Sequence, residues 1–165
     1  MKRDPYAEAR AIEDAEGIVL SHAHRMEREL APLAVLIGYE RASADLRTVA
    51  MLFSSSEPGV SPIDLLGEGI ASLRETIDPI ALVAAHEAWV VVRPAGAGFE
   101  APPSECADRA EVVIITKLTT SARLVTVYGI CRTTDGRVER LEPHGSSTEV
   151  TGRIAELLPL DGDVN

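Results

Sequence analysis

Ile12, Ala15, Val19, Ala23, Met26 and Leu30 recur at intervals of three and four, the spacing that gathers apolar side chains on one face of an α-helix. Asp4-Pro5 precedes the run, a capping carboxylate followed by proline at the first helical position. Pro32 ends it. Residues 1–31 are therefore read as an N-terminal helix, weakened in its middle by Gly17. Leu33 to Tyr39 is aliphatic and reads as a strand, Glu40 to Asp45 as a loop, and Leu46 to Phe53 as a second strand. After the turn cluster Ser54 to Gly59, Ser61 stands as cap, Pro62 as first helical residue and Asp64 three positions after the cap. Ile63, Leu66, Ile70, Leu73 and Ile77 then mark one apolar stripe, closed by Asp78-Pro79. Gly67 and Gly69 are costly inside a helix, which implies close packing on a sheet or on a second subunit.

Ile80 to Arg93 predicts a long strand, although Ile80 to Glu87 is also compatible with a helix continuing past Pro79. A Pro- and Gly-rich stretch over residues 94–109 is too long for a simple hairpin turn, and loops of that length tend to be functional or mobile. Glu111 to Leu118 and Leu124 to Thr133 are rich in Val, Ile and Thr and read as strands. Asp135-Gly136 predicts a two-residue hairpin with both central residues at positive φ, leading into a strand over Arg137 to Leu141. Ser147 to Leu158 predicts a terminal helix capped by Ser147 or Thr148. The order is α-β-β-α-β-β-β-β-α. It implies an α+β fold: an antiparallel sheet of about five to six strands with the helices packed on one face. The 165 residues form one domain, with a helical segment over 1–31, a sheet-helix core over 32–160 and a disordered tail over 161–165.

Composition changes this picture in three respects. Apolar residues make up 45% of the chain, but only one Trp, two Phe and three Tyr are present, so the core is expected to be aliphatic. A chain of this length buries roughly 70% of its extended surface and needs no disulfide or metal to hold together. The net charge of −10, spread along the chain, disfavours direct nucleic-acid binding, although Arg132, Arg137 and Arg140 lie close enough in sequence for a local basic patch. The first residues lack the apolar region of a secretory signal, no window approaches a membrane span, and Cys106 and Cys131 have no metal-type spacing. A cytoplasmic protein with free thiols and no cofactor or metal is expected.

Candidate chemistry concentrates between Ala84 and Glu111. On a strand, Val83, Ala85, Glu87, Trp89 and Val91 share one side, and Leu82, Ala84, His86, Ala88, Val90 and Val92 the other. An acid beside an indole ring suits a pocket wall, where burial raises the carboxyl pKa and makes Glu87 a general acid or base. The favoured reading is structural: Glu87 pairs with an arginine of an adjacent strand or stands at a solvent-facing edge position. His86 points away from Glu87 and reads as a hydrogen-bonded structural histidine. His22 and His24 are turned about 200° from each other on a helix, without a third ligand at metal spacing. Cys106 has Arg109 nearby but also Glu105 and Asp108, and no base. Ser104 lacks a nucleophile-elbow setting, and Gly96-Ala97-Gly98 fits no phosphate-binding fingerprint. His144-Gly145-Ser146-Ser147 is either a helix start offering amides to an anion or an ordinary loop.

Glu87-Ala88-Trp89 followed by Pro103-Ser104-Glu105 and Asp108-Arg109-Ala110-Glu111 resembles a pattern in small uncharacterised bacterial and phage proteins, across about a sixth of the chain. The resemblance implies no activity. It implies that Glu87, Trp89, Asp108, Arg109 and Glu111 form one constellation, with Arg109 folding back onto Glu87 or Glu111 to pin the loop. The resulting expectation is a binding domain, not an enzyme, that pairs with itself as a homodimer or with another protein, through a sheet edge or the Gly67/Gly69 helix face. The alternatives are a small hydrolase with Glu87 as acid/base and Arg109 holding an anion, and an acidic mimic of nucleic acid that blocks a basic partner.

Overall fold

The first seven residues of strand β1 (Leu33–Glu40) are all buried. A strand apolar at every position has no face to offer to water, so both of its sides must be covered. The computed structural model describes residues 3–27, 30–53, 59–94, 96–98, 100–150 and 153–158. In it β1 lies second from the edge of a six-stranded antiparallel sheet with β2 (Leu46–Leu52), β3 (Ile77–Val90), β4 (Ala110–Thr119), β5 (Arg123–Arg132) and β6 (Val138–Ser147), in the order β2-β1-β3-β4-β5-β6. Helix α1 (Pro5–His24) covers one face, where Ala15, Val19 and Ala23 meet Val35, Ile37, Val83 and Val113. Helix α2 (Pro62–Leu73) and the one-turn helix α3 (Arg153–Glu156) cover the other, with Leu66, Ile70 and Ala155 against Ala34, Leu36, Leu82 and Leu118. The α+β class, the antiparallel sheet and the element order are as the sequence implies. The helical cover is divided between two faces where one was expected, because β1 and the middle of β3 present aliphatic side chains in both directions. Each fully buried Leu, Ile or Val among them contributes about 1.5–3 kcal/mol.

The local signals account for most boundaries. Asp4 caps α1, its carboxylate accepting from the Tyr6 and Ala7 N–H groups at 3.1 and 3.2 Å, and the helix runs unbroken through Gly17. It stops at His24, short of residue 31. Met26 and Leu30 nevertheless stay buried in the connection to β1, which is why the apolar period outlasts the helix. Ser61 and Pro62 start α2 as expected, although the Ser61 side chain makes no capping bond. Gly67 faces Leu157, and Gly69 faces Met51 and Phe53, but a Cβ at either position would stand at an ordinary contact distance of 3.6 Å, so close packing does not demand glycine at either. The turn cluster over 54–58 and the tail over 161–165 lie outside the described residues.

Three departures have physical causes. Pro79 does not end α2, which closes at Leu73. It sits in β3, paired with Gly38 beside a β-bulge in which Ile80 is the extra residue between the Gly38–Pro79 and Ile37–Ala81 pairs. A bulge is one of the few sheet positions where the missing N–H of proline does no harm. Ile80 and Ala81 both join the α1-side core as a result. The region over 80–87 is strand, not helix. Asp135-Gly136 does form a hairpin, but only Gly136 has positive φ (87°). The Gly136 N–H donates to the Thr133 carbonyl and the Thr133 N–H to the Arg137 carbonyl, both at 2.9 Å, a three-residue loop ending in a left-handed glycine. Finally, β6 runs on to Ser147, so His144 to Ser147 are strand and not a helix start, and the terminal helix shrinks to one turn. The His144 ring occupies the space where a Cβ on Gly129 would stand.

Gly38 is where this frame is least tolerant. A Cβ there would lie 2.5 Å from the Asp78 carbonyl oxygen and from Ile77 Cγ2. Gly38→Ala is expected to cost about 1–3 kcal/mol by overpacking, whereas Gly145→Ala, with open space around it, stays within about 0.5 kcal/mol. Urea unfolding of the two variants side by side checks this.

Candidate functional site

The β3–β4 register sets Glu87 opposite Val113 and Trp89 opposite Glu111, so Glu87, Trp89 and Glu111 share the α1 face of the sheet. The Glu87 carboxylate accepts from the Leu30 N–H at 3.0 Å. Beside it, Glu111 receives a bidentate grip from Arg132 of β5: Nε donates to Oε2 at 2.9 Å and Nη2 to Oε1. Arg132 Nη1 donates further to the carbonyls of Glu27 and Gly136, at 2.9 and 2.8 Å. Arg132 thus ties the α1–β1 connection and the β5–β6 hairpin to the sheet through one guanidinium. The ion pair is largely shielded from water.

Two carboxyl groups this close divide their proton affinities. Burial, reinforced by the neighbouring Glu111 carboxylate, holds the Glu87 carboxyl above its ordinary value, with the Leu30 N–H pulling the other way. The Arg132 guanidinium holds Glu111 below the ordinary carboxylate value despite its burial. The pair is able to keep a proton on Glu87 where an isolated glutamate would have released it.

The rest of the expected constellation separates into adjoining pairs. Arg109 folds back, but onto the Trp89 ring, with its guanidinium carbon 4.6 Å from the ring centroid. One of its N–H groups donates to the Ser104 carbonyl in the 3-10 turn Pro103–Glu105. Asp108 receives both terminal nitrogens of Arg93, which closes the 94–109 loop at its base, and this pairing lowers the Asp108 pKa. Arg109 therefore fastens the loop by stacking, while Arg132, close in sequence to Arg137 and Arg140, holds the acid. The three arginines form no free basic patch: Arg132, Arg137 and Arg140 each carry a carboxylate, from Glu111, Asp135 and Glu142. Alternation along β5 with Tyr128 and Ile130 was the available signal that Arg132 points inward. Leu30 had no such signal, since its role is a backbone N–H.

Of the other candidates, His22 donates its Nε2–H to the Ala31 carbonyl, 2.8 Å away. Cys106 lies near the carbonyls of Ala101 and Pro102. His86 takes the α2 face, as alternation requires, half-buried and with its imidazole kept below its ordinary pKa by that burial. Among the described residues none hydrogen-bonds it, contrary to the structural role expected of it. No group of three metal-ligating side chains occurs among the described residues, and no described helix is long and apolar enough to cross a membrane. The chain matches no protein-family model, no curated protein and no solved structure.

Opposite pKa shifts give the two glutamates opposite pH signatures. A raised native pKa means that the folded state holds the proton more tightly, so the Glu87 contribution to stability falls as pH rises from its unfolded value to its folded one. The lowered pKa of Glu111 contributes stability above its unfolded value, lost as pH drops through the folded value. Glu87→Gln, which keeps an acceptor for Leu30, is expected to match the parent near pH 4 and exceed its stability at pH 8. Glu111→Gln is expected to be less stable at pH 7 and to converge with the parent in acid. Urea midpoints measured across this range distinguish the two. Since Trp89 is the single tryptophan, Arg109→Ala should shift its emission to the red while costing no more than about 1 kcal/mol.

Proposed function

We propose that this chain is a binding domain that works as a homodimer, two sheets joining edge to edge along β2. The observation that carries this reading is the contrast between the two sheet edges. β6 carries the devices that discourage strand addition: Pro143, two register shifts against β5, and the charges of Glu139, Arg140 and Glu142. β2 pairs with β1 over seven residues without a bulge, contains no proline, and has Arg47 as its one charged residue, already matched by Glu40 and Asp45. In a chain of net charge −10, self-association favours the stretch of surface where like charges are fewest.

The hydrogen-bonding pattern defines which groups such a partner would meet. Phe53 N–H donates to the Pro32 carbonyl and Glu40 N–H to the Asp45 carbonyl, at 2.9 and 2.8 Å. Odd-numbered residues of β2 therefore turn their backbone groups towards β1, and Leu46, Thr48, Ala50 and Leu52 turn theirs outward. Leu52, 64% exposed, adds an apolar contact at the end of that edge. The Gly67/Gly69 helix face is the weaker route, because both glycines already pack inside the chain. The acid/base alternative keeps one supporting feature, the raised proton affinity of Glu87, but Arg109, expected to hold an anion, is occupied by Trp89 and Ser104.

Sedimentation equilibrium at tens of micromolar is expected to show a dimer. Ala50→Pro removes an outward N–H and no β1–β2 bond, and Thr48→Lys places a charge on the edge. Each should yield a folded monomer, with far-ultraviolet dichroism unchanged. A parent that is monomeric at high micromolar concentration overturns the reading. A dimer that survives both substitutions places its interface elsewhere.

A further inference from the structure

Strand β1 pairs with β3 only as far as Leu33 and Ala85. The next residue of β3, His86, therefore has Pro32 beside it instead of a paired strand, and the α2 face of the sheet is left open there. A groove of about 430 Å³ occupies the gap, within the size range of small-molecule sites. Its floor is Ala34 and Ala84, and its walls are Phe53, Ile63, Leu66 and Ile154. Apart from Ser61, whose hydroxyl makes no capping bond, the polar side chains at the groove are His86, Arg153 and Glu87. The Glu87 carboxylate is turned to the opposite face, where Leu30 holds it. Arg153 stands at the rim with one N–H group on Asp64 at 2.5 Å, and it is mostly exposed.

The His86 imidazole is half-buried and no described residue hydrogen-bonds it, so its ring nitrogens are available to a ligand seated in the groove. The groove is thus apolar over its walls, with one hydrogen-bonding imidazole inside it and the Arg153 guanidinium at its rim. We propose that it binds a small apolar molecule bearing a carboxylate, its hydrocarbon body against Ala34, Ala84 and Leu66 and its head at His86, with Arg153 on the rim. The head accepts from the imidazole N–H, and its negative charge favours the protonated ring. The small residues at positions 34 and 84 make the room; a larger side chain at either would fill it. This site lies on the α2 face and does not depend on pairing through β2.

Octanoate, 1-octanol and octylamine serve as probes, followed by amide and histidine-ring nuclear magnetic resonance on the full chain. Octanoate is expected to shift Ala34, Ala84 and Ile63, to bind about tenfold more tightly than octanol and to raise the His86 titration midpoint by about one unit. His86→Phe should keep octanol binding and abolish the preference for the acid. Ala84→Leu should abolish binding of both, and Ile154→Trp, at the mouth of the groove, tests the same blockage should Ala84→Leu fail to fold. No shift at millimolar octanoate, equal affinity for acid and alcohol, an unmoved His86 midpoint, or binding that survives a blocked groove each overturns the proposal.

Discussion

Two strands buried on both faces dictate everything else in this molecule. From Leu33 to Tyr39 on β1, and from Ile80 to Ala85 on β3, inward and outward side chains alike are withdrawn from water. Hydrophobic burial is non-directional and scales with area, so it demands cover without specifying which element supplies it. α1 answers on one face with small residues, Ala15, Val19 and Ala23, which let a straight helix lie close. On the other face α2 needs help from α3, with Leu66 and Ile70 of the one and Ala155 of the other meeting the sheet. Where the cover is incomplete, at the start of β1, the sheet exposes the groove beside His86.

The connection from α1 to β1 passes through that same region, and polar contacts hold it where apolar packing runs out. Leu30 N–H meets Glu87, the Glu27 carbonyl meets Arg132, and the Ala31 carbonyl meets His22. Placing an acid pair and a guanidinium under a connection is not an efficient source of stability, because desolvating the charges offsets much of their attraction. Its effect is directional: a backbone N–H and a carbonyl are each fixed at one angle, which apolar contacts do not do. On this view the Glu87–Glu111–Arg132 group determines where the chain enters β1.

Much of this was legible in the residues. The Asp4-Pro5 and Ser61-Pro62 starts, the strand sequence from Leu33 onward and the opposed directions of His86 and Glu87 follow from short-range rules of capping and alternation. Those rules fail where two elements meet. Pro79 reads as a stop because nothing local announces the bulge that accommodates it. Met26 and Leu30 extend a helical period through residues that are buried as coil. Arg109 and Arg132 are both near acids, and only the strand order decides which of them reaches Glu111. The Leu30 amide and the cavity over Ala84 belong to no motif, since one is backbone and the other is the absence of side-chain volume.

The bulge at Ile80 has a consequence for how this sheet is able to vary. An extra residue in β3 reverses the parity of every position that follows it relative to those before. It is this reversal that sends Glu87 towards α1 and His86 towards α2 while the Gly38–Pro79 pair keeps its place. Losing that residue by a simple deletion would make Gly38–Pro79 and Ile37–Ala81 consecutive pairs and leave the faces of Glu87 and His86 as they are, whereas a slip of register that kept Ile80 and paired it would turn both over. The polar lock and the open groove hang on consecutive residues of one strand, one on each face, so a single change of register would displace both at once.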